Sequence, residues 1–215
     1  MDDLKFYELS ASEMTALIKL GKLSITELIK SINQRIDKIN PEVNAWVHLN
    51  HNQSIEKSKE LERKIENKEK IGGLFGIPIG IKDIFNTKDF PTEMGSPIWK
   101  DFTPGNDARV VDHLQMSDAI ILGKTETAEF AVHSLGKSKN PYDPKLSPGT
   151  SSSGSAIAVA TYMVPVALGS QTGGSIIRPA SYCGIYGFKP SFGLIPRTGM
   201  LKTTDTLDQV GYFTR

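Results

Sequence analysis

Two serine- and glycine-rich segments of this 215-residue chain hold the residue types that nucleophilic chemistry needs. They are Pro148-Gly149-Thr150-Ser151-Ser152-Ser153-Gly154-Ser155 and Gly169-Ser170-Gln171-Thr172-Gly173-Gly174-Ser175. Serine and glycine also punctuate ordinary loops, but each segment abuts an apolar run that would mount its serines at the rim of a rigid core. A serine hydroxyl attacks only with a base within hydrogen-bond reach. The oxyanion that follows needs fixed donors, most simply consecutive backbone amides. Thr172, Gly173 and Gly174 before Ser175 could supply them, because glycines let the backbone curl with its amides inward. The base is harder to find. There is no Gly-x-Ser-x-Gly elbow, and His48, His51, His113 and His133 stand in no Ser/Asp context; they read as surface or locally bonded histidines. Lys82 closes the run Ile77-Pro78-Ile79-Gly80-Ile81 and would serve if burial left its amine neutral. A lysine after a strand is, however, ordinarily exposed. The residues alone thus give a serine hydrolase whose base is unassigned.

The elements that must position these groups follow from periodicity. Ser10-x-x-Glu13 and Ser24-x-x-Glu27 are capping-box patterns at helix starts. Ile25, Leu28, Ile29, Ile32, Ile36 and Ile39 then fall on one helical face, and Asn40-Pro41 is expected to end that helix. The Lys/Glu-rich stretch 53–70 reads as a solvated surface helix. From Gly72 the pattern changes. Ile77, Ile79 and Ile81 alternate as a strand ending at Lys82, and Ala119-Ile120-Ile121-Leu122 reads as a short buried strand. Helices are expected over 107–116 and 126–132, a loop over 134–149, a buried helix over 156–162, a strand over 164–168 and a loop over 169–174. Strands alternating with helices predict an α/β layered domain with a largely internal sheet. The chain divides into a helical N-terminal region, 1–70, packing on a core, 71–215.

Bulk properties bound the function. Hydrophobic residues at 39% and charged residues at 23% describe a globular protein. Lys plus Arg (25) nearly cancel Asp plus Glu (24), so no global field draws nucleic acid or an anionic membrane. A single cysteine, Cys183, excludes an internal disulfide and suits a reducing compartment. The start, Met1-Asp2-Asp3-Leu4-Lys5, lacks a secretion-signal layout, and the apolar stretch 156–168 is too short to span a bilayer. A cytoplasmic protein is expected. No His/Cys cluster or dinucleotide fingerprint calls for a metal or organic cofactor.

Several ordered motifs together resemble the amidase signature family. They are Gly80-Ile81-Lys82-Asp83, the 148–155 run, and Gly169-Ser-Gln-Thr-Gly-Gly-Ser175-Ile-Ile-Arg178-Pro179-Ala180. Ile121-Leu122-Gly123-Lys124-Thr125, Asn140-Pro141-Tyr142-Asp143-Pro144 and Cys183-Gly184-Ile185-Tyr186-Gly187-Phe188-Lys189-Pro190 add to the likeness, which runs from about residue 7 to the last residue. The resemblance implies a central mixed sheet flanked by helices, with a helical N-terminal region, and an amidase that acts on a small-molecule amide. It implies Ser175 as the acylated nucleophile, Ser151, on a cis peptide bond, as the proton relay, and Lys82 as the base. Thr172, Gly173 and Gly174 fall at the oxyanion hole and Ser152 at a supporting serine. Substrate identity is not implied, and homodimerisation is left open.

This sequence also departs from the family pattern. Thr150 stands where many members carry glycine, and would be strained if that position needs φ > 0. Gln171 replaces a common aspartate, and Arg178 comes one residue later than usual. Hydrolase branches of the family share the last two features, which favours a free-standing amidase over the A subunit of an aminoacyl-tRNA amidotransferase. Members are roughly twice as long, and Leu207-Asp208-Gln209-Val210-Gly211 resembles a stretch near their middle. The chain therefore reads as an N-terminal half, expected to leave a sheet edge and a core face uncovered and to be poorly soluble and inactive alone. Two other readings are weaker. Ser54-x-x-Lys57 and Ser134-x-x-Lys137 fit a penicillin-binding pattern, but no Ser-Asp-Asn or Lys-Thr-Gly accompanies them. The glycine loops could serve a binding scaffold, but Gly123-Lys124-Thr125 lacks the upstream glycine of a P-loop.

Overall fold

The computed structural model describes residues 5–215; most of the Met1 to Lys5 stretch read above for a secretion signal lies outside them. Helix α1 (Ala11–Lys19) opens on a complete capping box: Ser10 accepts from the Glu13 amide while the Glu13 carboxylate takes the Ser10 amide. Helix α2 (Ile25–Val43) starts at Ser24, which accepts from the Glu27 amide. Here the reciprocal acid is not Glu27. Glu62, from helix α3 (His51–Glu66), takes the Ser24 hydroxyl and the Thr26 amide and hydroxyl, so an acid from a second helix satisfies the start of α2.

The face of α2 made by Ile25, Leu28, Ile29, Ile32 and Ile36 is buried. The helix does not stop at Asn40-Pro41 but carries Pro41 to Val43, where Asn44 ends it with a left-handed φ of 52°. The Asn40 side chain explains the abrupt turn, since its oxygen accepts from the amides of Ala45 and Trp46. Strand β1 (Trp46–Leu49) follows at once, inside the region the sequence reads as helical. Its four residues are too few to show alternation.

The sheet has six strands in the order β1-β3-β2-β4-β6-β5. Beyond β1 these are β2 (Pro78–Lys82), β3 (Ile120–Thr125), β4 (Val166–Gln171), β5 (Tyr186–Phe188) and β6 (Gln209–Thr214). The central three, β3, β2 and β4, are parallel; β1 pairs antiparallel with β3, and β6 antiparallel with β4 and β5. The result is a mixed α/β sheet flanked by helices. Strand β2 is buried along its whole length, as a central parallel strand should be. Helix α4 (Arg109–Met116) packs on β3. Helix α5 (Ser153–Ala160) is buried from Ser153 to Val159 and packs on β4 and β2. The short helix α6 (Ile177–Tyr182) packs on β5.

Two sequence expectations shift. The helix expected over 126–132 reduces to one 3-10 turn at Glu129–Ala131, with Phe130 and Ala131 at positive φ. The strand expected to end at Leu168 continues through Gly169 and Ser170 to Gln171 because β6 pairs with it to its last residue. At the edge, β5 exposes Tyr186 (74%) and Phe188 (50%). Among the described residues, no helix is long and apolar enough to cross a membrane, and no cluster of His, Cys, Asp or Glu could hold a metal.

Candidate active site

The carboxyl ends of β2 and β4 and the start of α5 meet at Lys82. In register, Ile81 of β2 faces Leu168 of β4, so Lys82 lies beside the last residues of that strand. The Lys82 side chain is fully buried. Its Nζ donates to Ser151 Oγ at 2.7 Å and to Ser170 Oγ at 2.9 Å, and pairs with no carboxylate among the described residues. Burial drives its amine down from 10.5 to about 7, against the opposing pull of the Glu126 and Asp208 carboxylates. A lysine in this state is neutral a large part of the time at neutral pH.

Ser151 sits immediately before α5. The Thr150–Ser151 peptide is cis, and the Ser151 carbonyl accepts from the Ala128 amide at 3.1 Å. The positive φ in this turn falls on Gly149 (+79°), not on Thr150, so the threonine carries none of the strain considered above. A side chain at 149 would also meet the Pro179 Cα at 2.7 Å. Thr150 Oγ1 instead accepts from the Arg178 guanidinium at 3.4 Å.

Ser152 and Ser155 bind α5 to β4. Ser152 Oγ donates to the Ser170 carbonyl and accepts the Ser170 amide, at 3.1 and 3.3 Å. Ser155 Oγ donates to the Leu168 carbonyl at 2.7 Å. Ser153 donates to Glu126, a buried carboxylate that also takes the Ser138 hydroxyl and the Lys137 amide. A cavity of about 340 Å³ borders this turn, lined by Leu135, Leu146, Pro148, Thr150 and Ser153 among others. A second, of about 180 Å³ between Gln53, Lys88 and Asp107, lies on another part of the molecule.

Ser175 follows β4 at the end of the turn Thr172-Gly173-Gly174 and is half-buried. Among the described residues no hydrogen bond joins its hydroxyl to Ser151 or Lys82. The turn is anchored by the side chain of Gln171, whose Oε1 accepts from the amides of both Ile176 and Ile177 at 2.9 Å. These are the free donors of the first turn of α6, so a neutral glutamine serves where the family commonly has an aspartate. On the other side, Thr172 Oγ1 donates to Asp208 at 2.5 Å.

The structure therefore brings Lys82 and Ser151 into contact, bonds Ser152 to the backbone of Ser170 and places Ser175 on a separately anchored turn after β4. Sequence reasoning missed Ser170, Glu126 and Asp208. Ser170 was hidden by ending β4 at Leu168; carrying the alternation of Val166 and Leu168 onward assigns it to their face. Glu126 is a single acid with no local pattern, whereas Asp208 stands in the Leu207-Asp208-Gln209-Val210-Gly211 stretch, which the sequence offered only as a marker of position along the family's chain. The four histidines stand apart from this centre: His48 faces Glu93 at 3.2 Å, His51 bonds Asp37 at 2.8 Å, and His113 and His133 are exposed.

Comparison with known proteins adds to this geometry. A sequence profile described as Amidase matches residues 27–215. The chain is 37% identical over 218 residues to a glutamyl-tRNA(Gln) amidotransferase A subunit of Clostridium acetobutylicum, covering 99% of this chain and 45% of that protein. It is 44% identical over 198 residues to the corresponding protein of Gloeothece citriformis, which bears the same amidotransferase name, covering 89% and 41%. The native peptide amidase of Stenotrophomonas maltophilia superposes with a TM-score of 0.91 at 34% identity, over 97% of this chain and 45% of its own. The chain thus spans less than half the length of these relatives. A family profile that covers most of the sequence, with identities of this size, makes the chain a member of the amidase signature family.

Proposed function

We propose that this chain carries the catalytic centre of an amidase that cleaves a carboxamide C–N bond through an acyl-enzyme on Ser175. The observation that carries the reading is the contrast between two fully buried lysines. Lys124 has a carboxylate, Asp83, at 3.0 Å and two further oxygen acceptors. Among the described residues, Lys82 has only the hydroxyls of Ser151 and Ser170. A buried ammonium without a carboxylate is costly enough that the group gives up its proton. Neutral Lys82 can donate one N–H to Ser170 and turn its lone pair to Ser151.

In the proposed reaction Lys82 takes the Ser151 proton as Ser151 takes that of Ser175, and Ser175 Oγ bonds to the amide carbonyl carbon. The amides of the Thr172–Ser175 turn receive the oxyanion. The proton returns through Ser151 to the nitrogen as the C–N bond breaks and the amine leaves. Water attacks the ester by the same relay, which releases the acid and restores the Ser175 hydroxyl. The peptide amidase neighbour supports hydrolysis of this kind. A second reading, that the amide nitrogen is passed to another acceptor, rests on the amidotransferase names and on the 37–44% identities of those relatives. Acylation is the same in both.

A serine-directed fluorophosphonate tests acylation without a substrate pocket. Mass spectrometry should find one adduct, on Ser175, with a labelling rate that rises through about pH 7 as Lys82 loses its proton. Ser175→Ala should abolish the adduct. A wild-type chain labelled elsewhere, or equally well after that substitution, would remove Ser175 as nucleophile. Ammonia set free from a small carboxamide stays in solution in hydrolysis, whereas in transfer it should be consumed by an added acyl phosphate, forming the new amide with loss of phosphate.

A further inference from the structure

Asp208 lies just before β6, and Thr172 just after β4. The two strands pair through Gln171 and Gln209, so the bond from Thr172 Oγ1 to Asp208 continues their ladder by one side-chain rung. The Asp208 carboxylate is buried and fully occupied. One oxygen takes the hydroxyls of Thr172 and Thr203, and the other the amides of Thr203 and Thr204 at 2.7 and 2.9 Å. Burial raises its carboxyl, but the hydrogen bonds from Thr172, Thr204 and Thr203 outweigh that and hold it below the usual range. It is a fixed anion on a closed turn.

Within the Thr172–Ser175 turn, the Gly174 carbonyl accepts from the Arg178 amide at 2.9 Å, a tie to the helix side of the turn. Gly173 is exposed, with open space where a side chain would stand. Gln171 secures only the far end, at Ile176 and Ile177. Thr172 is the near end, and the direction of the amides between depends on holding both. We propose that Asp208, acting through Thr172, is a positioning residue for the nucleophile turn, setting the amides from Gly173 to Ser175 for the oxyanion. The inference rests on the acyl-enzyme reading above and extends it to a residue outside the reacting groups.

Labelling by the fluorophosphonate, resolved into its apparent binding constant and limiting rate, tests it on the full chain. Thr172→Val removes the donor and leaves the carboxylate in place. It should lower the limiting rate roughly ten- to a hundredfold, the scale of a misdirected oxyanion donor or a small displacement, while the binding constant stays within about twofold. Thr172→Ser keeps a hydroxyl and should restore most of the rate. Asp208→Asn should resemble Thr172→Val, and the two together should lose no more than either alone. A Thr172→Val chain labelled at the wild-type limiting rate overturns the inference; so does a loss that Thr172→Ser fails to restore. Because Thr172 is only partly buried, the threonine pair decides the matter even if Asp208→Asn does not fold. Absence of a Ser175 adduct in the wild-type chain would instead remove the proposed function, and this inference with it.

Discussion

Lys82→Met should change how the stability of this protein depends on pH, by an amount the structure sets. Burial moves the Lys82 amine from 10.5 to about 7. At about 1.4 kcal/mol per pH unit, folding with this amine in place costs roughly 5 kcal/mol once the pH is well below 7. The sign follows from proton counts. Between about pH 7 and 10.5 the unfolded chain holds the proton and the folded chain does not, so the unfolded state binds more protons and stability rises with pH. Methionine keeps a flexible, unbranched side chain without the titrating group. Its effect on the hydroxyls of Ser151 and Ser170, which lose a partner, is the same at every pH in this range. All other titrating groups are shared and cancel in the difference. The stability of wild type relative to Lys82→Met should therefore rise by about 2 kcal/mol from pH 7 to pH 9. Urea unfolding of both proteins at pH 7, 8 and 9, with unchanged m-values, measures it. A difference that does not move with pH would show that Lys82 keeps its proton in the fold, and would refute the reasoning that makes it the base.

Three further outcomes follow from the same structure. Lys124→Met should destabilise the fold by about 3–5 kcal/mol in urea unfolding, because it leaves Asp83 buried without its cation; adding Asp83→Asn should recover part of the loss. Gly149→Ala puts a side chain at φ +79° and 2.7 Å from Pro179 Cα, and should cost more than about 1 kcal/mol while slowing Ser175 labelling by displacing Ser151. Gln171→Leu strips the acceptor from two amides at the start of α6. It should cost about 1–3 kcal/mol, and its labelling rate should fall with its melting temperature.

The fold was legible where burial imposed a simple period. Ile77, Ile79 and Ile81 read as a strand because apolar residues at every second position line one face of extended chain, and the stripe of α2 read as a helix because only one face is buried. What escaped depends on partners distant in sequence. The continuation of β4 to Gln171 needs β6, which lies 38 residues further on by the Gln171–Gln209 pairing, and Gly169 and Ser170 read locally as the start of a loop. Pro41 reads as a stop, yet the helix ends at Asn44, because the Asn40 side chain can fold the chain back only after one more turn. Ser175 and its glycines could be suspected from chemistry alone. Lys82 could not, since nothing in its neighbours shows which lysine will be left without a carboxylate.

That last point turns on register. Lys82 and Asp83 are adjacent in sequence, and a lysine beside an aspartate invites an ion pair. Asp83, however, lies in the turn that follows β2, outside the strand that ends at Lys82. The β2–β3 register pairs Ile81 with Lys124 and Lys82 with Thr125. Lys124 thus points away from the side of Lys82 and toward that of Asp83, where it takes the carboxylate at 3.0 Å along with the Pro91 carbonyl and Thr92 hydroxyl. One face of the two strands gathers a paired lysine and the other an unpaired one. A slip of one residue in this register would turn Lys82 onto the face of Lys124. The neutral amine proposed to drive acylation is in this sense a property of strand pairing. It should be lost in any variant that shifts β2 against β3, even with Lys82, Ser151 and Ser175 all unchanged.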